Sequence, residues 1–211
     1  MDKYKYSYLD DKGIYCYEDS DVLINKLHIR DEKIFYKAER LYSSIRQSEL
    51  SANPLKGDFD FNYLKSIHHY LFQDLFYWAG KVRTVAIAKA SMFCLPQYIE
   101  GYATDIFNKL KKDNYYRNYS KDAFVEAITN LLGDINALHP FREGNGRTQR
   151  EFIRCIGLLN GYGFDWSLVS SEENIIASYE SVNGDNAKLK AIITKIIFKL
   201  WSVASHVRRF L

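Results

Sequence analysis

The sequence predicts a mainly α-helical fold with one small β-hairpin, and three observations carry that expectation. Apolar residues recur at three- and four-residue spacing along most of the chain, the mark of helices that bury one face. Weak alternation with β-branched residues is confined to the stretch around 82–94. The chain has 211 residues, 47% of them hydrophobic, which argues against disorder and suits one domain (1–211) with a proper core.

In chain order, residues 1–20 are rich in Tyr and Asp and aperiodic, and read as an extended or irregular lead-in that packs on the domain. Val22, Leu23, Ile24 and Leu27 form a short apolar patch. Asp31 is placed to cap a helix with Ile34, Phe35, Ala38, Leu41, Tyr42 and Ile45 as its apolar positions. Asn53-Pro54 and Lys56-Gly57 break the chain. A second helix is expected from about Asp60 to Gly80, with Leu64, Ile67, Leu71, Leu75 and Trp78 on one face. His68 and His69 are adjacent, so they face different directions and do not share a metal ion; a packed, hydrogen-bonded His68 is the expectation. Val82 to Ala88 reads as a short strand and residues 90–94 as its return, ahead of Pro96. Residues 97–112 form a helix with Ile99, Tyr102, Ile106, Phe107 and Leu110 inward, and Asp113 to Tyr119 a polar, aromatic loop. Ser120 caps a helix whose stripe is Phe124, Ile128, Leu131, Leu132 and Ile135. Another helix carries Phe152, Ile153, Ile156 and Leu159 and stops at Gly161. Residues 171–182 form a short helix, and 183–186 a break. A last cationic amphipathic helix is expected over about 187–209, with Leu189, Ile192, Ile193, Ile196, Ile197, Leu200, Ala204 and Val207 along one stripe that packs as core or a dimer contact, the alternative being a membrane surface.

Composition excludes several classes. A net charge of +3 does not by itself imply nucleic-acid binding. Cys16, Cys94 and Cys155 match neither a zinc pattern nor a disulfide framework, and a reducing, cytoplasmic compartment fits them best. Met1-Asp2-Lys3-Tyr4-Lys5 lacks the apolar run of a signal peptide. No apolar stretch is long enough to span a bilayer. There is no internal repeat and no low-complexity segment.

The chemistry concentrates in residues 139–150, His-Pro-Phe-Arg-Glu-Gly-Asn-Gly-Arg-Thr-Gln-Arg. Gly144-Asn145-Gly146 reaches backbone conformations that side chains usually forbid, so its amides can turn towards an anion. The helix pattern that begins behind it adds orphan N–H groups and a favourable dipole for phosphate. Arg147 and Arg150, three residues apart, reach further phosphates with forked donors. Glu143 is a hard oxygen ligand of the kind Mg²⁺ accepts when phosphates complete its shell. His139 accepts a proton near neutral pH. The sum is a polyphosphate site with a metal ligand and a base.

This stretch resembles the Fic motif, His-x-Phe-x-(Asp/Glu)-Gly-Asn-Gly-Arg-x-x-Arg, at every fixed position. Ile67-His68, Leu71-Phe72, Phe76, Trp78-Ala79-Gly80 and Arg83 resemble a second stretch of that family, and the likeness runs from about residue 20 to about 185. It implies a Fic-type helical bundle with a hairpin, the flap, beside the active site, where Ser91, Met92, Phe93 and Cys94 would hold a target segment as an added strand. It implies transfer of AMP from ATP to a Tyr, Thr or Ser hydroxyl of a target protein. His139 would be the base, Gly144, Asn145 and Gly146 the anion hole, Arg147 and Arg150 the clamp on the β- and γ-phosphates, and Glu143 the Mg²⁺ ligand. A branch of the family with lysine in place of Gly146 transfers phosphate instead, so Gly146 favours nucleotidyl transfer. The family's inhibitory motif, (Ser/Thr)-x-x-x-Glu-(Gly/Asn), is absent: Glu100, Glu143 and Glu173 precede Gly or Asn, but Pro96, His139 and Val169 stand four residues earlier. The resemblance therefore implies a separate small antitoxin that supplies the inhibitory Glu and docks near Arg150. Transfer from another nucleotide, de-AMPylation, and a nucleotide-holding scaffold without transfer are the alternatives. Target identity and homo-oligomerisation stay open.

Overall fold

The structure, a computed structural model, describes residues 7–8, 13–89 and 91–200. Seven α-helices carry it: α1 (Glu32–Ala52), α2 (Phe61–Phe72), α3 (Ile99–Lys112), α4 (Lys121–Leu138), α5 (Asn145–Leu159), α6 (Ser171–Val182) and α7 (Ala187–Ile196). Strands β1 (Ser7–Tyr8), β2 (Ile87–Lys89) and β3 (Ser91–Met92) form one antiparallel sheet in that order, and β4 (Tyr162–Phe164) pairs with β5 (Ile197–Lys199). The mainly α expectation holds. Among the described residues no helix is long and apolar enough to cross a membrane.

Local signals set most helix starts. Asp31, Asp60 and Ser120 accept from Ile34 N, Tyr63 N and Ala123 N, and so satisfy amides that a first turn leaves without partners. Ser170 and Glu173 form a reciprocal capping box on α6. The stripes of α4 and α5 are buried as expected: Phe124, Ile128, Ile135, Phe152, Ile153 and Ile156 are closed to solvent. These two central helices pack against each other, α2 lies on α5, and α6 and α7 lie on α4. The loop between α4 and α5 is therefore anchored at both ends in the core.

Several expectations are corrected. α2 stops at Phe72 and does not reach Gly80; turns follow, with Leu75 N and Phe76 N both donating to Phe72 O. The first hairpin strand is three residues, not seven, because residues 82–86 are held by side-chain contacts around Arg83 instead of a ladder. Within the lead-in, by contrast, the extended reading fits: Ser7–Tyr8 pairs with β2 and Cys16 bridges to Leu23. On α1 the inward face is Phe35, Glu39, Ser43 and Leu50, while Ile34, Leu41 and Ile45 face solvent.

The helix expected over 187–209 ends at Ile196. Its stripe Leu189, Ile192, Ile193 and Ile196 is buried as expected. Ile197 and Phe198 then take strand geometry, which suits β-branched and aromatic residues. Gly163 of β4 permits it, because a Cβ there would lie 2.4 Å from the Phe198 ring. Residues 201–211 lie outside the described residues.

Candidate active site

His139 is the C-cap of α4 and adopts a left-handed conformation, φ 44°. That turn throws the chain out of the helix and into the loop. The imidazole is 5% exposed and stacks on Phe93, centroids 3.8 Å apart. Nδ1 lies 3.2 Å from the carbonyl oxygen of Asn136. A carbonyl only accepts, so the proton sits on Nδ1 and the lone pair on Nε2, the arrangement a general base needs.

Two buried residues hold the loop from outside the motif. Arg83, 2% exposed, donates from Nε to His139 O, from NH1 to Val85 O and from NH2 to Cys94 O, while its backbone N–H donates to Pro140 O. One guanidinium thus ties both ends of the hairpin to the catalytic turn. His68, closed to solvent, accepts from Gly80 N on Nδ1 at 2.8 Å, so Nε2 carries the proton and donates to Glu143 O at 3.0 Å. Its ring stacks on Phe141 at 3.9 Å. Burial pushes the His68 pKa from 6.5 down to about 3, which keeps the ring neutral. His68 is packed and hydrogen-bonded as expected, but its grip on the Glu143 carbonyl was not legible from spacing.

Of the glycine pair, only Gly144 uses a left-handed conformation, φ +80°. Gly146 is helical, in the first turn of α5. The Asn145 side chain does not face the anion position. It is buried, with Oδ1 accepting from Phe141 N and Nδ2 donating to Phe141 O, and so closes the loop on itself. Because α5 begins at Asn145, the amides of Asn145, Gly146 and Arg147 have no intrahelical acceptor, and they are what an anion would meet. Gly146 lines a recess, and a Cβ there would sit 3.3 Å from Arg150 NH1, with no other contact within 4 Å found among the described residues.

Glu143 is half-buried; Oε1 accepts from Gly144 N at 2.9 Å and lies 3.9 Å from Arg147 NH2. Arg147 meets Glu39 and Ser43 of α1. Arg150 lies over the Trp166 ring at 5.8 Å and makes no ion pair among the described residues. Burial, and then Arg147, lowers its pKa. A recess of about 100 Å³ beside His139, Gly146 and Arg150 is also lined by Trp166, Asn174 and Ser178. The Trp166 indole nitrogen is buried there and has no hydrogen-bond partner among the described residues. Trp166 and Asn174 stand apart from the motif in sequence, and no spacing marks them.

The flap residues divide. Met92 is 53% exposed and belongs to β3, with Ser91. Phe93 turns in onto His139, and the Cys94 backbone N–H donates to Ala137 O. Since β2 is paired on both sides, the edges of this sheet among the described residues are β1 and β3, and β3 is the one that runs on to Phe93 and His139.

Comparisons with known proteins give the family. Residues 58–156 match the sequence model of the Fic/DOC family. The chain is 38% identical over 182 residues to the protein adenylyltransferase VbhT of Bartonella schoenbuchensis, covering 86% of this chain and 38% of that protein. It is 37% identical over 184 residues to a Sinorhizobium fredii protein named "Probable protein adenylyltransferase", covering 86% of this chain and 94% of that one. The crystal structure of the N-terminal Fic domain of a Bep effector protein from Bartonella quintana, with bound ADP, superposes with a TM-score of 0.84 at 26% identity, covering 91% of this chain and 98% of that one. The chain spans well under half of VbhT but nearly all of the Sinorhizobium protein. It belongs to the Fic/DOC family.

Proposed function

We propose that the chain is a protein adenylyltransferase: it transfers AMP from ATP to a Tyr, Thr or Ser hydroxyl of a target protein and releases pyrophosphate. The observation that carries this reading is His139, with its lone pair on Nε2, beside the first-turn amides of α5 and two arginines. The names of the relatives and the ADP in the Bartonella quintana domain support it.

Each residue then has a step. His139 Nε2 takes the proton of the target hydroxyl, whose oxygen attacks the α-phosphorus in line. The bond from that phosphorus to the α,β-bridging oxygen breaks, and pyrophosphate carries the electron pair away. Charge on the non-bridging α-oxygens meets the backbone amides of Asn145, Gly146 and Arg147, with Gly144 shaping the turn that aims them. The Asn145 side chain keeps that turn rigid. Arg147 and Arg150 hold the β- and γ-phosphates and so fix which phosphorus faces His139. Gly146 leaves the room this requires.

Glu143 fits Mg²⁺. It is one half-exposed carboxylate beside the phosphate site, the kind of ligand Mg²⁺ takes when phosphates and water complete its shell. Bound there, the ion would neutralise charge on the leaving diphosphate.

The target strand adds to the exposed β3 edge at Ser91–Met92, while Phe93 and Cys94 carry the hairpin back to His139. Arg150, without a carboxylate partner among the described residues, is where a small antitoxin's Glu would dock.

The test uses two batches of ATP, labelled on the α- or the γ-phosphate, added with Mg²⁺ to a cell lysate with wild-type chain or His139→Ala. Label passing to protein from the α-position only, and only with His139 present, is the expected result. Label from the γ-position would mean phosphate transfer. No protein label, despite nucleotide bound to the chain, would mean a nucleotide-holding scaffold.

A further inference from the structure

On α1 the usual amphipathic arrangement is partly inverted. Ile34, Leu41 and Ile45 are exposed, while Glu39 and Ser43 occupy buried positions, 6% and 3% exposed. A buried carboxylate is costly to a fold, and an apolar residue of similar volume often serves stability as well or better. Burial raises the Glu39 pKa against the pull of Arg147, so the site does not favour the charge for its own sake. What Glu39 does instead is visible at its partner.

Arg147 NH1 lies 2.5 Å from Glu39 Oε1 and donates to Ser43 Oγ at 2.8 Å. The guanidinium also lies over the Phe72 ring at 4.8 Å. It is gripped on one edge and supported on one face. NH2 points towards Glu143, 3.9 Å away. A guanidinium has five N–H donors in a fixed fork. NH1 is turned to α1, where Ser43 accepts its hydrogen bond and Glu39 Oε1 is a close ion-pair partner outside hydrogen-bond geometry, and among the described residues Nε and NH2 donate no hydrogen bond. NH2, held only by the 3.9 Å ion pair, is the donor nearest Glu143.

We propose that Glu39, seconded by Ser43, is a positioning residue for the phosphate clamp. It holds Arg147 with NH2 towards Glu143, so that the donors for the leaving diphosphate are in place before the nucleotide arrives. An arginine on a solvated surface would lose rotamer freedom on binding phosphate; one already gripped by α1 has lost it on folding. The proposal rests on the reading of Arg147 as a phosphate clamp.

The test measures binding of ATP, ADP and AMP by calorimetry, with no target protein present, for wild type, Glu39→Gln, Ser43→Ala, Arg147→Ala and the double variant Glu39→Gln/Arg147→Ala. Glu39→Gln weakens ATP and ADP by about tenfold and AMP by less than about twofold, as expected when a preset clamp is loosened. Ser43→Ala gives a smaller loss in the same direction, and it stands in for Glu39→Gln should that variant fail to fold. In the Arg147→Ala background Glu39→Gln adds nothing, because it acts only through Arg147. Unchanged or tighter ATP binding by both α1 variants, with Arg147→Ala still weakened, would overturn the proposal and leave the clamp standing. So would a Glu39→Gln loss that persists in full on Arg147→Ala. If Arg147→Ala itself binds ATP, ADP and AMP as wild type does, the clamp reading falls and the proposal with it.

Discussion

Gly144 and Gly146 flank Asn145, yet they should respond oppositely to the same methyl group. At Gly144 an alanine must hold φ +80°, and its Cβ would lie 2.2 Å from Phe72 Cε2. The left-handed backbone costs about 1–2 kcal/mol. Phe72 is closed to solvent and its ring also supports Arg147 and His68, so displacing it adds a further ~1–3 kcal/mol of overpacking. Gly144→Ala is therefore expected to cost about 2–5 kcal/mol. At Gly146 the backbone is helical and the nearest neighbour is the flexible end of Arg150, at 3.3 Å. Alanine's helix preference there offsets any crowding, so stability should change by no more than about 0.5 kcal/mol. Urea unfolding of both variants measures the difference, and a gap below about 1 kcal/mol would refute the reasoning about the turn. Activity should separate from stability: Gly146→Ala folds normally but loses AMP transfer by at least about tenfold, because the methyl enters the space in front of the α5 amides. Full transfer by Gly146→Ala would refute that half.

Other outcomes follow from the same contacts. His68 has a folded pKa of about 3 against an ordinary 6.5, so the unfolded chain takes up its proton first as pH falls. Its contribution is fully present above pH 6.5 and is lost at about 1.4 kcal/mol per pH unit on acidification towards 3. Urea unfolding at pH 7, 6 and 5 should show a steeper decline for wild type than for His68→Gln; parallel declines would mean the ring is not held neutral. Arg83→Met strands the carbonyls of His139, Val85 and Cys94 and should cost about 3 kcal/mol or more by urea unfolding, with Arg83→Lys failing to restore a three-carbonyl fork; a cost below about 1 kcal/mol would contradict this. Burial pushes the Cys155 thiol up to about 12, so in native protein at pH 8 it should resist alkylation while the urea-unfolded chain reacts, as mass spectrometry of the peptide would show.

What could be read from the sequence, and what could not, divides along sequence distance. Helix caps such as Asp31, Asp60 and Ser120 act within three residues, and the α4 and α5 stripes lie on single helices, so local pattern sufficed. The motif is contiguous, and the structure places His139, Gly146 and Arg150 on one recess. The misses are contacts across the fold. α1 looked amphipathic through Ile34, Leu41 and Ile45, but its partner needed Glu39 and Ser43 inward to meet Arg147, more than a hundred residues later. The apolar run at the end of α7 continued a helical stripe, but β4 offered a strand edge that captured Ile197 and Phe198. Asn145 fits an anion hole by type, yet its side chain found both its partners on Phe141, four residues back. Arg83 and His68 gave no spacing signal because each grips backbone carbonyls, which carry no residue identity.

The most direct test of the central claim is mass spectrometry of a target protein after incubation with ATP and Mg²⁺, with wild-type chain and with His139→Ala whose ATP affinity has been checked. The prediction is AMP esterified to a Tyr, Thr or Ser hydroxyl with wild type, and none with a variant that still binds ATP as tightly. An unchanged yield of adduct with His139→Ala, or an adduct of phosphate alone with wild type, would contradict the account.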